Sequence, residues 1–488
     1  MIHMTRTPFS RIQLVRFLLC LPFFVMLGLM VMEALLSAAT TYLVIKVGRD
    51  VANDEFLISD LLWILAAQSA AYVVGAVSWI YAERTGFLAF GRYMLRFARD
   101  NRHQTQSLTD KDARERVEPF LTGETFYVYF HFLYEVEGDL RLLLGLIFNV
   151  IVLGTQIDVA LPFAYVGVLV VLMALQWSMR KRVANAFFEN QRMTNRMTAQ
   201  GYTAWDNVFT GNSYNLRLWL AGFKTKLRDG LNAQIKAIMT REGLSATSGI
   251  IALAIVFATM AMVAAHNAED TALLVGLATT LPRQIEMTNN VHQFAAGWNE
   301  FLASWTRMGG VASSMHPEFD PAFESRIKFD RLILREGERA NTVSSLDEAM
   351  RFVLAQPRGR INVRGANGTG KSTLLTSLKA QIKTRAYYWP TADRLAFQFA
   401  QGSEPEAAED DEAERKPTAG PGKRPGFSSG ERQLRSLQEI VAYTAAPIYL
   451  LDEWDANLDP NNRAAADALI EELACRARVV EISHRDRI

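Results

Sequence analysis

The sequence predicts two domains of different class. Residues 1–308 read as an α-helical transmembrane domain with six spans, and residues 331–488 as an α/β P-loop NTPase domain, joined by a linker at 309–330. Three observations carry this. Six apolar runs fill the first 294 residues, and the charge of the segments between them alternates. Residues 365–373 read G-x-x-x-x-G-K-S-T between a strand pattern and a helix pattern. Four apolar residues at 448–451 run into two adjacent carboxylates, Asp452 and Glu453.

Half of the 488 residues are hydrophobic and only 21% are charged, which is apolar for a soluble protein. The net charge of +1 gives no general attraction for nucleic acid. Cys20 and Cys475 lie in very different segments, so no disulfide framework is implied and two free thiols in a reducing compartment fit better.

The start is basic through Arg16 and leads into an apolar run at 17–45. That run is too long for a secretory signal and lacks a small-residue cleavage site, so it reads as the first membrane helix. Residues 61–81 carry no charge, and about 21 residues cross the ~30 Å hydrocarbon core. Runs three and four, 142–155 and 159–179, are split by Gln156-Ile157-Asp158. The third is short; it either extends back through the aromatic stretch at 126–134 or tilts among its neighbours. The fifth run is 245–265. The sixth, 271–294, is interrupted by Arg283 and Glu286, and reads as a span or as a cytoplasmic amphipathic helix.

Loop charge orders these runs. The N-terminus, the segment from Arg84 to Arg116, and the segment opening Arg180-Lys181-Arg182 are basic; the connections after runs one, three and five are short or acidic. Basic segments stay in the cytoplasm. Both termini are then cytoplasmic, which requires an even number of spans, and a multi-pass protein of the cell inner (cytoplasmic) membrane is expected. The two cytoplasmic segments are long and helix-rich, with crosswise helices expected near 111–124 and 200–213. Polar residues inside the spans, Glu33 and a group from Gln284 to Gln293, serve either interhelical hydrogen bonding or a water-filled cavity for a polar or amphipathic substrate. Pro282 is expected to kink the sixth helix.

In the second domain, Gly365, Gly368 and Gly370 let backbone N–H groups turn inward around phosphate oxygens, together with Asn367 and Thr369. The helix pattern at 374–382, which follows Thr373, points its positive end at the same anion. Lys371 reaches the β and γ phosphates of ATP, and the Ser372 hydroxyl can ligate Mg2+. Asp452 can hold Mg2+ directly or through water, and Glu453 can orient and deprotonate the attacking water.

Three further stretches follow in order: Phe427-Ser428-Ser429-Gly430-Glu431-Arg432-Gln433, Ala456-Asn457-Leu458-Asp459 and Ser483-His484-Arg485. These resemble the signature loop, D-loop and switch histidine of ATP-binding cassette proteins. Over essentially its whole length the chain resembles an ABC exporter-type half-transporter of the type IV kind, and among these the small bacterial peptide or microcin exporters. The resemblance implies a dimer of two half-transporters, most simply a homodimer, in a lipid bilayer. ATP is then sandwiched between the phosphate loop of one chain and Ser428 and Gly430 of the other. Glu453 acts on water, His484 contacts the γ-phosphate and Asp459 touches the opposite chain. The implied function is ATP-driven efflux of a peptide or other amphipathic compound by alternating access. A lipid or multidrug exporter is an alternative, as is an ATP-binding membrane protein that gates with little hydrolysis.

The sequence also departs from that family. Ser429 and Glu431 replace a glycine and a glutamine of the usual signature. No aromatic for stacking on adenine stands at 332–340, which leaves Phe329 or Phe352. The glutamine expected after a strand at 386–389 is replaced by Thr391, with Gln398 and Gln401 as other candidates. The insert at 403–426, acidic and then rich in Lys, Arg, Pro and Gly, is expected to be disordered, as a solvated linker or a partner-binding tail.

Overall fold

The computed structural model describes residues 9–55, 58–316, 320, 322–390, 395–400, 428–456 and 458–483. They are mostly helical, with one small mixed sheet toward the C-terminus. The chain divides into two compact units, Met1–Arg96 with Phe120–Met315, and Phe97–Pro119 with His316–Ile488.

The first unit is built from helices α1 (Arg11–Leu18), α2 (Leu21–Ala52), α3 (Ile58–Asn101), α5 (Thr125–Gln156), α6 (Ala160–Tyr202), α7 (Ala204–Phe209), α8 (Ser213–His266), α9 (Thr271–Thr279) and α10 (Leu281–Ser314). Helix α4 (Lys111–Pro119) belongs to the second unit. Among the described residues, four helices are long and apolar enough to cross a membrane: α2, α3, α6 and α8. They contain the first, second, fourth and fifth apolar runs. Helix α5, which holds the third run, carries Glu135, Glu137, Asp139 and Arg141. The sixth run is divided between α9 and α10.

Several expectations need correction. The first run is not one helix: α1 ends at Leu18, and α2 restarts at Leu21 with Pro22 in its first turn. Proline lacks an N–H, so it fits the first turn of a helix and not its interior. Pro282 likewise begins α10 after a break at Thr280 and does not kink a continuous helix. The linker does not start at 309, because α10 continues through Gly309 and Gly310 to Ser314. At Gly309 a Cβ would sit 2.7 Å from Nε of Arg11, so this glycine serves close approach rather than termination. The first crosswise segment starts earlier than expected, with a 3-10 turn at Thr105–Leu108 ahead of α4. The second expected turn holds α7.

The second unit contains β1 (Ile333–Glu336), β2 (Arg339–Thr342), α11 (Leu346–Leu354), β3 (Gly359–Arg364), α12 (Lys371–Ile382), β4 (Ala386–Trp389), α13 (Ser429–Tyr443), β5 (Ile448–Asp452), α14 (Pro460–Arg476) and β6 (Arg478–Ile482). The strand order is β2-β1-β3-β6-β5-β4. β3, β6, β5 and β4 are parallel, and β1 runs antiparallel to both its neighbours. Alternation along β5 explains the layers. Ile448 and Leu450 face a core closed by α11 and α12, while Tyr449 and Leu451 face one closed by α13 and α14. A strand covered on both faces reads as a continuous apolar run. The segment before α4 joins the same unit, where Thr105 Oγ1 donates to the carbonyl of Thr376 in α12 at 3.1 Å.

A buried ion pair ties the sheet's edge hairpin to its centre. Arg478, 1% exposed, bonds both carboxylate oxygens of Glu336 and donates to the carbonyls of Val353 (3.2 Å) and Arg358 (3.0 Å). Glu336→Ala strands that guanidinium and should lower unfolding stability by about 3 kcal/mol. Asp330→Ala, which removes only an exposed partner of Arg331, should cost under about 1 kcal/mol. Guanidinium unfolding in detergent, followed by tryptophan fluorescence, checks both.

Candidate nucleotide site

The loop between β3 and α12 lies at the carboxyl edge of the parallel strands, where ligands of open α/β sheets bind. Its conformation needs glycine. Gly368 and Gly370 have φ of 78° and 88°, and Gly370 is the N-cap of α12. A Cβ on Gly370 would lie 2.7 Å from the carbonyl oxygen of Arg326. Lys328 N also donates to the Thr369 carbonyl at 3.0 Å, so the chain at 326–328 braces the loop from outside. Ala366, Asn367 and Gly368 form an exposed tip, while Thr369 is buried and donates to Ala366 O at 2.8 Å.

Two side chains at the helix start turn to the site. Lys371 Nζ donates to the carbonyls of Gly365 (2.8 Å) and Ala366 (3.3 Å), holding its ammonium over the loop. Ser372 Oγ donates to Asp452 Oδ1 at 3.0 Å, which joins the loop to the end of β5 across the intervening β6. The hydroxyl of Tyr388, on β4, donates to the other carboxylate oxygen at 3.3 Å. Asp452 is 5% exposed. Burial first, and then the nearby Glu453 charge, push its carboxyl up to about 6 against the bonds from Ser372 and Tyr388. Tyr388 is itself pushed up, by burial first and then by the Asp452 charge. Glu453 follows with φ of 49°, a left-handed conformation that is costly for a side-chain-bearing residue and clusters at functional sites. Thr373 lies in the first turn of α12.

The remaining predicted residues sit at other helix starts. Ser428 is the N-cap of α13, and its Oγ accepts from Glu431 N at 3.2 Å while Glu431 Oε2 accepts from Ser428 N at 2.9 Å. That is a capping box. It gives the glutamate in place of the usual glutamine a local role, and the bonds from Ser428 hold the Glu431 carboxyl below its usual range. Gly430 is buried in the first turn of α13. Asp459 is the N-cap of α14 and accepts from Asn462 N at 2.8 Å. Among the described residues, no hydrogen bond joins Ser428, Gly430 or Asp459 to the phosphate loop. His484, Asn457, Thr391, Gln401 and the insert at 403–426 lie outside the described residues. The backbone N–H of Gln398 donates to Glu439 at 2.7 Å, and Phe329 and Phe352 pack against the core under α11 and α12.

Sequence reasoning missed a buried polar network behind these groups. Glu481 of β6, 2% exposed, accepts from Arg360 of β3 at 2.7 Å and from Trp454 Nε1 at 2.8 Å. Asn362 reaches both Glu481 (3.3 Å) and Ser483 (2.9 Å). Gln433 of α13 donates to the Trp454 carbonyl at 2.6 Å. The residues flanking Glu453 and preceding His484 are thus fixed from β3, β6 and α13. The available signal was a glutamate inside an otherwise apolar strand.

No protein-family model matches this chain, and no curated protein matches it.

The raised Asp452 carboxyl makes a signed prediction. Its folded value, about 6, lies above the ordinary value near 3.9, so the fold favours the neutral acid. The stabilisation is complete below about pH 4 and is lost as pH rises through about 6. Asp452→Asn should therefore stabilise the protein in EDTA by up to about 3 kcal/mol at pH 8, with the gain shrinking toward pH 5. Denaturant midpoints of both forms across that range test this.

Proposed function

We infer that this chain is an ABC exporter-type half-transporter, which hydrolyses ATP to drive efflux of a peptide or other amphipathic compound across the cytoplasmic membrane by alternating access. The observation that carries the reading is the Ser372–Asp452 hydrogen bond, with Lys371 folded over the same loop, in a chain that also has four membrane-length apolar helices.

The residues present suit Mg2+ and ATP. A hydroxyl and a carboxylate 3.0 Å apart form an all-oxygen donor pair of the kind Mg2+ prefers. When bound there, Mg2+ supplies charge neutralisation for the phosphate oxygens. Gly365, Gly368 and Gly370 present backbone N–H groups, and the α12 N-terminus adds its dipole. Lys371 binds the β and γ phosphates. Glu453 orients water and accepts its proton, and His484 contacts the γ-phosphate. Ser428 and Gly430 stand at the N-terminus of the 15-residue α13, itself suited to an anion, yet are not bonded to the loop of their own chain. Pairing with a second chain gives that N-terminus its phosphate and brings Asp459 to the interface. Tighter ATP binding by the closed pair biases the membrane cavity outward.

Six spans follow when α5 and the α9–α10 pair are counted with the four apolar helices. The two arginines on these helices are both bonded to groups on other helices, as membrane interiors favour. Arg141 of α5 pairs with Glu33 of α2 and Glu137. Arg283 of α10 bonds Ser37, Thr41 (3.1 Å) and Asn149 (3.2 Å). Basic loops then place both termini in the cytoplasm. Lipid or multidrug efflux uses the same machinery. A gating protein with little hydrolysis is favoured by one observation: Phe329 and Phe352, the aromatics the sequence offers for stacking on a base, are both half-buried against the sheet core.

ATPase assays in nanodiscs separate pump from gate. Glu453→Gln is expected to lower the rate about 100-fold or more, and ATP should trap this variant as a dimer by light scattering. Equal background rates in both proteins leave only the gating reading, and a monomer at saturating ATP removes the paired-cassette mechanism.

A further inference from the structure

We propose that Trp454 is a positioning residue for the hydrolysis inferred above: its indole N–H, anchored on the buried carboxylate of Glu481, fixes the backbone from which Glu453 acts on water. The inference rests on the ATPase reading and adds to it the device that sets the catalytic carboxylate.

The need for such a device lies in Glu453 itself. Its φ of 49° puts a residue with a side chain in the left-handed region, a conformation that persists only where the surroundings over-determine it. On its N-terminal side the restraint is β5, where Asp452 pairs with Ile482 of β6 and accepts from Ser372. On its C-terminal side the strand has ended and the chain turns at once, with Ala456 N donating to Glu453 O at 3.2 Å.

Trp454 supplies the second restraint. It is 4% exposed and belongs to the core closed by α13 and α14. Apolar packing has no direction, and two hydrogen bonds give it one. The indole Nε1 donates to Glu481 Oε2 at 2.8 Å, and the Trp454 carbonyl accepts from Gln433 Nε2 of α13 at 2.6 Å.

The acceptor of the indole bond is held in turn. Glu481 lies in β6, between β3 and β5, and its two oxygens accept from Arg360 Nε at 2.7 Å and Nη2 at 2.8 Å. Arg360 is gripped from α14 by Asp467 and Glu471, both at 2.8 Å. An indole has a single donor, so this fork decides where it points. The same carboxylate accepts from Asn362 Nδ2 at 3.3 Å, and that amide donates to Ser483 Oγ at 2.9 Å, at the end of β6 that leads to His484. One buried charge therefore ties the residue after Glu453 and the residue before His484 to the same strand.

Stability alone does not call for a carboxylate at this position. An apolar side chain would complete β6, and replacing a buried ion pair by well-packed apolar groups is often neutral or stabilising. What Glu481 adds over an apolar residue is direction, delivered to the two segments that carry the hydrolytic side chains.

The test replaces Trp454 in the full chain with benzothienylalanine, which keeps the shape of the side chain and exchanges its N–H for sulfur. In nanodiscs, kcat for ATP hydrolysis should fall about tenfold or more, while KM and the affinity for a non-hydrolysable ATP analogue stay within about twofold. Equilibrium dialysis of the analogue also counts binding sites, and kcat is expressed per site. A merely structural role lowers the number of sites and leaves kcat per site unchanged. A smaller fall in kcat overturns the proposal, as does a loss that appears in affinity or in site number instead. Trp454→Phe removes the same donor and should reproduce the fall; should it not fold, the isosteric variant decides alone. Wild-type protein that binds the analogue without hydrolysing ATP removes the pump reading and this inference with it. Hydrolysis that survives loss of the indole N–H overturns this inference only.

Discussion

One partly buried contact, the hydrogen bond from Ser372 to Asp452, joins the glycine-rich loop of the C-terminal unit to the end of β5. A carboxylate at the end of a strand covered on both faces is expensive to ionise, and the fold accepts that cost at the point where β3 and β5 must face one another across β6. Everything around it serves to hold that register. The two cores grip alternate residues of β5, and the Glu481 network fixes Arg360, Asn362 and Trp454 behind the site. Such networks are stabilising only when every member is satisfied. Here Glu481 has three donors, which is why a glutamate is tolerated in an apolar strand.

The membrane unit solves the same problem in a drier setting. Arg141 and Arg283 sit on the two helices that fall short of membrane-type composition, and each is held by groups from other helices. Those bonds also fix the packing of α2, α5 and α10. Polarity that makes a helix look unlike a span is here what orients it among its neighbours.

Much of the C-terminal unit was legible. The strands at 386–389 and 448–452 follow directly from short apolar runs beside turn residues, and Gly368 and Gly370 of the loop take the positive φ their type allows. What was not legible depended on distant partners. Gly309 and Gly310 read locally as a helix end, yet the helix continues through them, and the guanidinium of Arg11, 298 residues earlier, lies close against Gly309. Arg478 and Glu481 read as breaks in an apolar pattern until the sheet brings Glu336 and Arg360 to them. The break at Cys20 was available in Pro22 and was outweighed by the length of the apolar run.

The start of α13 shows how a local rule and a proposed functional one meet. A helix leaves its first N–H groups unpaired, and the box between Ser428 and Glu431 uses those of the N-cap and third positions. The N–H groups of Ser429 and Gly430 remain for an anion. Ser428 Oγ is also engaged, donating to Glu431 at 3.1 Å. For a phosphate to take that hydroxyl, the Glu431 carboxylate has to leave, since two anions cannot share one helix start at low cost. A neutral glutamine would yield more readily. On the half-transporter reading, this chain therefore trades a better-capped α13 for a harder approach of the two cassettes, and the box must open each time ATP is enclosed.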